Sequence, residues 1–153
     1  MKRAESVADH SFALGLLAAL EGGRRGFDVE RAVKLALIHD LEEAITGDLT
    51  PNDKRIRGAN RVEADKRKAI RELLTHLSST ERKSYGRLWT DLSLLRTREA
   101  RLVHDLDKLE MALQAREYAK RVGRERVEGF YRSAAREIRD PELRRILESI
   151  RRS

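Results

Sequence analysis

The chain has 153 residues, 40% of them hydrophobic, and 33 Lys and Arg stand against 26 Asp and Glu. That length and apolar content predict one domain with a real core and exclude wholesale disorder. No cysteine is present, which excludes disulfides, thiolate zinc sites and cysteine nucleophiles, so any metal must be held by imidazole and carboxylate. No apolar run reaches transmembrane length and Met1-Lys2-Arg3-Ala4-Glu5 lacks a signal-peptide core, so a cytoplasmic protein without a membrane partner is expected. Residues 116–153 hold 12 Arg and Lys against 7 Asp and Glu. Solvated Arg-rich helix faces explain this most simply, and attraction of an anionic ligand is the alternative.

In order, the chain reads as helices. Ser6-Val7-Ala8-Asp9 has the form of a capping box, so a first helix starts near Ser6, with Phe12, Ala13, Leu16, Leu17 and Leu20 on its apolar face, and ends between Gly22 and Gly26. Asp28 caps a second helix, about 29–46, whose apolar pattern is Val33, Leu37, Leu41, Ala44 and Ile45, with Gly47 at its end. The stretch 48–59, with Asp48, Pro51, Asn52 and Gly58, reads as a loop. A third helix covers about 60–77, and a fourth, capped by Ser79 or Thr80, runs to about Leu95 and carries Tyr85, Leu88 and Trp89. Those three side chains suit either the core or the apolar patch of a homodimer. The fifth helix opens at Thr97-Arg98-Glu99 and bears Leu102, Leu106, Leu109 and Leu113 as a regular stripe. Beyond Gly123, two more segments cover about 124–138 and, after Asp140-Pro141, up to 151. Nothing alternates at period two for long, so the expected fold is an all-α, single-domain bundle over 1–153 of about six to seven helices.

His39 and Asp40 lie inside an apolar helical run, and Glu43 follows one turn on. An unpaired buried carboxylate costs several kcal/mol, about what a compensating cation would offset. His10 and Asp107 sit on other helices and can join that pair only through tertiary packing, the way helical bundles build metal sites from facing helices. Imidazole with carboxylate suits one divalent ion among Mn, Fe, Co, Ni or Zn without selecting one. His104, at i−3 from Asp107, is a rival ligand that spacing does not exclude; Asp105 points elsewhere and is expected to pair with an Arg, and His76, near a helix end, is expected to be exposed.

Three stretches carry a resemblance to a known family: Glu5-Ser6-Val7-Ala8-Asp9-His10-Ser11-Phe12; His39-Asp40-Leu41-Glu42-Glu43-Ala44-Ile45-Thr46-Gly47-Asp48-Leu49-Thr50-Pro51; and Leu102 to Met111 with Gln114-Ala115 and Glu117-Tyr118. Together they strongly resemble the HD-domain metal-dependent phosphohydrolases, and within them the 5′-deoxynucleotidase branch. The resemblance covers roughly residues 5–120. It implies His10, His39, Asp40 and Asp107 as metal ligands, Glu43 as the residue handling the attacking water, and Asp48 as a second catalytic acid. Relatives carry a further helix ahead of the first motif, with an Arg and often a Trp implicated in nucleotide binding, and this chain starts too late to include it. Either the start is truncated, or Arg3 and other basic residues substitute, or nucleotide binding is impaired. Lys108 either contacts phosphate or faces water.

The implied activity is metal-dependent hydrolysis of (deoxy)nucleoside 5′-monophosphates to nucleoside and phosphate, by an enzyme whose relatives suggest a homodimer. HD-domain phosphodiesterase or pyrophosphohydrolase action on cyclic nucleotides or (p)ppGpp is the alternative chemistry. A non-catalytic basic helical module that binds nucleic acid is the alternative of another class. It fits poorly with only 5% aromatic residues and leaves the metal-ligand set without a purpose.

Overall fold

The computed structural model describes residues 6–47, 49 and 51–152, with the backbone alone for Pro51 and Asn52. Arg3 and Asp48 therefore lie outside the described residues. Helices follow one another as α1 (Val7–Arg24), α2 (Val29–Ile38), α3 (Glu43–Thr46), α4 (Pro51–Arg57), α5 (Ala59–Leu74), α6 (Ser79–Ser93), α7 (Arg98–Val122), α8 (Arg124–Glu137) and α9 (Pro141–Arg152). No strand occurs among the described residues, as the all-α expectation required. None of the helices is long and apolar enough to cross a membrane.

Two differences raise the helix count above the expected six to seven. The second helix does not run to residue 46: it stops at Ile38, and residues 39–42 form a tight turn. Here Glu43 N–H donates to the Asp40 carbonyl at 3.0 Å and Ile45 N–H to that of Glu42 at 3.0 Å. Such i to i+3 bonds make side chains three apart eclipse, so Asp40 and Glu43 share a side. The stretch expected to be a loop contains α4, which opens on Pro51 and closes on Lys54, Arg55 and Arg57. Pro at the first helical position and cations in the last turn both favour a short helix.

Local signals in the sequence govern the helix starts. The Ser6 box forms on both sides, with Asp9 N–H donating to Ser6 Oγ at 3.2 Å and Ser6 N–H to the Asp9 carboxylate at 3.1 Å. At the fourth long helix the cap is Ser78 rather than Ser79 or Thr80, because Glu81 three residues on completes a second box. Helix α1 ends in a Schellman turn: Phe27 N–H reaches the Gly22 carbonyl at 2.9 Å and Gly26, at φ +64°, donates to Gly23 at 3.2 Å. Gly26 takes the left-handed conformation that closes this motif.

The buried faces of α1 and α2 differ from the expected ones. On α1 the core side is Leu14, Gly15, Ala18 and Gly22, while Phe12, Leu16 and Leu20 are 74%, 54% and 61% exposed. On α2 the core takes Ala32, Leu35, Ala36 and Ile38, and Leu37, Leu41 and Ile45 stay partly in water. Both helices carry apolar residues around most of their circumference, so periodicity alone did not choose a face. The small residues decided it: a Cβ at Gly22 would lie 3.7 Å from that of Ala32, so the two backbones approach closely there. Close packing on both sides outweighs the bulk of an exposed Leu.

Helix α7 is the centre. It packs against α1, α2, α6, α8 and α9 and presents Ala100, Val103, Leu106 and Ala112, all fully buried, in several directions. Leu88 and Trp89 are buried in the same core, which removes them as the apolar patch expected of a dimer.

Candidate metal centre

Four of the expected site residues meet where the first turns of α1, the turn after α2 and the middle of α7 converge. His10, His39 and Asp107 each offer a ligand atom within 4.8 Å of the others. The imidazole centroids of His10 and His39 are 5.0 Å apart, with planes inclined at 61°. Asp40 is outside that group of three, but its Oδ2 lies 2.9 Å from His39 Nε2.

Each imidazole has one nitrogen occupied and one turned inward. His10 Nδ1 is 2.5 Å from Glu110 Oε2, and its Nε2 faces Asp107 Oδ1 at 3.2 Å. His39 Nδ1 is 2.7 Å from the Ala36 carbonyl oxygen, an acceptor only, so the proton sits on Nδ1 and the lone pair of the neutral ring is at Nε2. That Nε2 is buried and, although close to Asp40, has no hydrogen-bond partner among the described residues. An imidazole fixed through one nitrogen by a carboxylate or a carbonyl, with the other directed at carboxylates, is the arrangement of a metal ligand with its orienting partner. The donor set therefore fits a divalent transition ion.

Electrostatics agree. Burial, the largest influence on His10, favours the neutral ring, yet Asp107 and Glu110 outweigh it and push its pKa up to about 10. Burial acts on His39 in the same sense and is outweighed mainly by Asp40, so this pKa is raised as well. Asp107 would be pushed up by burial, but the hydrogen bond from His10 and the charge of Lys108 hold its carboxyl well below the usual range. Asp40 is lowered too, because His39 outweighs its burial. The positive charge beside these two half-buried carboxylates offsets the cost of burying them.

The cluster opens into a cleft of about 620 Å³ lined by Glu43, Lys54, Lys66 and Lys108, among others. Glu43 begins α3 on the same side as Asp40. Lys108 lies 2.9 Å from Asp107 Oδ2 and 3.7 Å from Glu137, so it faces the cleft with its charge partly engaged. His104, the rival ligand, also lines the cleft but turns Nδ1 to Asp105 at 3.0 Å. Among the described residues Asp105 pairs with no Arg side chain; it accepts the backbone N–H groups of Arg139 and Asp140 and so anchors the start of α9. His76 is exposed.

Sequence reasoning gave no role to three groups. Glu110, buried and one turn beyond Asp107, orients His10; its i+3 spacing from a ligand was the available signal. Glu42, 1% exposed, is held by Lys66 at 2.6 Å, which ties the 39–42 turn to α5. Neither that pair nor the Ala36 carbonyl had a signal, since pairing between a turn and a helix 24 residues on follows from packing alone.

Comparison with known proteins extends over nearly the whole chain. The 5′-deoxynucleotidase HDDC2 of Xenopus laevis is 36% identical over 155 residues, covering 98% of this chain and 74% of that protein. The human 5′-deoxynucleotidase HDDC2 is 34% identical over 145 residues, covering 94% and 69%. Among solved structures, a conserved hypothetical protein from Pyrococcus furiosus matches with a TM-score of 0.76 and 32% identity, covering 99% of this chain and 86% of that one. The family model for the HD domain matches residues 1–150, and with the His and Asp cluster already in place, the chain belongs to the HD-domain family.

Proposed function

We propose that this protein is a metal-dependent phosphohydrolase that cleaves (deoxy)nucleoside 5′-monophosphates to nucleoside and phosphate. The observation that carries this reading is the pair of imidazoles, each fixed through Nδ1, whose Nε2 atoms face Asp107 and Asp40 at the head of a cleft. Two relatives named 5′-deoxynucleotidase, at 36% and 34% identity, support the substrate class.

His10, His39, Asp40 and Asp107 would hold the ion. When bound, a divalent cation supplies Lewis-acid charge to the phosphoryl oxygens. The residues do the rest. Glu43, on the cleft wall beside Asp40, accepts a proton from the attacking water as it bonds to phosphorus, the general-base role its position allows. The bond from phosphorus to the 5′ oxygen then breaks, and that oxygen takes a proton from Asp48, a residue that the family resemblance assigns to the catalytic site and that general-acid chemistry suits to this step. Lys66 and Lys108 add positive charge to the wall against which a dianionic phosphate would rest. Arg3 is a further candidate for the nucleotide.

Phosphate release from a panel of deoxynucleoside monophosphates, in the presence of Mn, Co or Zn, tests the reading. Turnover is expected with at least one metal, and Asp107→Ala should abolish it together with metal retention. Turnover of cyclic nucleotides or (p)ppGpp, with no mononucleotide cleaved, would replace the substrate class; salt-sensitive nucleic-acid binding without any hydrolysis would overturn the enzyme itself.

A further inference from the structure

The cleft is not uniform along its length. Helix α7 supplies one wall of it as a single stripe: Asp107, Met111, Gln114 and Tyr118 at i, i+4, i+7 and i+11, all lining the same space. At 1.5 Å of rise per residue, Met111 lies about 6 Å and Gln114 about 10 Å along the helix axis from the ligand Asp107. The stripe thus begins with a carboxylate among cations and continues as an apolar wall that carries one amide and one phenol.

Helix α8 faces that wall. It returns across Gly123, at φ +89°, and packs along α7. Phe130 follows Gly123 by seven residues and Arg116 precedes it by seven, so Phe130 stands level with Ala115 and Arg116; both Phe130 and Ala115 line the cleft. The core stripe of α8 is Val127, Tyr131 and Ala134. Phe130 is set about 100° off Tyr131 on the helix and keeps 47% of its surface in water. An aromatic ring left half-exposed in a cleft that an amide also lines is matched to a flat heteroaromatic ligand that stacks on it.

We propose that Phe130, with Met111, Gln114 and Tyr118, forms a nucleobase subsite in which Phe130 stacks on the base and Gln114 contacts its polar edge. This rests on the mononucleotidase reading and deepens it. Stacking accepts any base, so Phe130 governs how strongly a nucleotide is preferred over a sugar phosphate. A side-chain amide offers both donors and an acceptor, so Gln114 governs which base is preferred.

The test compares hydrolysis of deoxyadenosine 5′-monophosphate with that of deoxyribose 5-phosphate, and separately measures deoxyadenosine binding by calorimetry. Phe130→Ala should reduce the nucleotide to sugar-phosphate ratio of kcat/KM about tenfold, within the range that base–aromatic stacking spans, and weaken deoxyadenosine by a similar factor. Phe130→Tyr should keep most of both, whereas Phe130→Leu, which retains apolar bulk, should not. Gln114→Leu should change the order of preference among the four bases. Equal effects of Phe130→Ala on both substrates, or rescue by Leu as good as by Tyr, would overturn the subsite and leave the hydrolase reading intact. Absence of any mononucleotide turnover in the wild type would defeat the hydrolase reading instead. Deoxyadenosine binding, lost or kept in Phe130→Ala, would then still decide the subsite.

Discussion

Replacing Lys66 by Met removes the one side-chain partner, among the described residues, of a carboxylate that is almost wholly enclosed. Glu42 is 1% exposed; Lys66 holds Oε1 at 2.6 Å, and Oε2 has no hydrogen-bond partner among the described residues. Breaking a fully buried pair from one side costs about 3–5 kcal/mol, because the remaining charge is left uncompensated. Lys66 keeps 23% of its side chain in contact with solvent, so water reaches the site in part and the expected loss is about 2–3 kcal/mol. At roughly 2–4 °C per kcal/mol for a domain of this size, the melting temperature should fall by about 4–12 °C. Urea unfolding of Lys66→Met, Glu42→Leu and the double variant is the assay. The double variant should recover most of the stability lost in Lys66→Met, since replacing both charges by apolar groups is often neutral or better. A Lys66→Met loss within about 0.5 kcal/mol, the range of ordinary surface changes, would show that the pair is solvated and does not brace the turn.

Three further outcomes follow from the same geometry. Glu110→Gln should lower metal affinity by about 10- to 100-fold while turnover at saturating metal changes little, because Glu110 acts by orienting His10; competition with a chelating indicator measures the first and phosphate release the second. Glu43→Gln should retain the metal by elemental analysis yet lose about 10²- to 10⁴-fold in kcat, the usual loss when a general base is removed. Asp140 receives a hydrogen bond from Arg25 at 2.5 Å, the main cause of its lowered pKa, and those of Glu142 and Leu143 N–H at 2.9 and 3.0 Å. A depressed folded pKa stabilises above the ordinary value near 3.8 and loses that stability as pH falls through the folded value. Asp140→Asn, which keeps a capping oxygen but loses the charge facing Arg25, should therefore cost about 1 kcal/mol at pH 7 and less below pH about 4, read from chemical unfolding at both pH values.

Helix existence and many helix ends were legible in the sequence because their causes are local. A Ser followed three residues later by an acid satisfies its own backbone amides wherever it stands, as was read at Ser6 and passed over at Ser78, and a glycine such as Gly26 or Gly123 ends a helix by conformation alone. The leucine stripe of α7 was equally plain. The three stretches of family motif also named the residues that the structure brings together, because the order of His10, His39-Asp40 and Asp107 along the chain is a property of sequence.

Tertiary structure decided what depends on a neighbour. Periodicity placed Phe12, Leu16 and Leu20 in the core, but the fit of Gly22 against Ala32 turned the opposite face of α1 inward. Residues 39–42 form a turn, not part of a continuous helix. The turn is held by Lys66, a residue that nothing in the local sequence links to Glu42. Which nitrogen of each imidazole faces the cluster was likewise decided by Glu110 and the Ala36 carbonyl. Hydrogen-bond direction and burial belong to pairs of groups, and a chain read one residue after another contains the members of those pairs but not their distances.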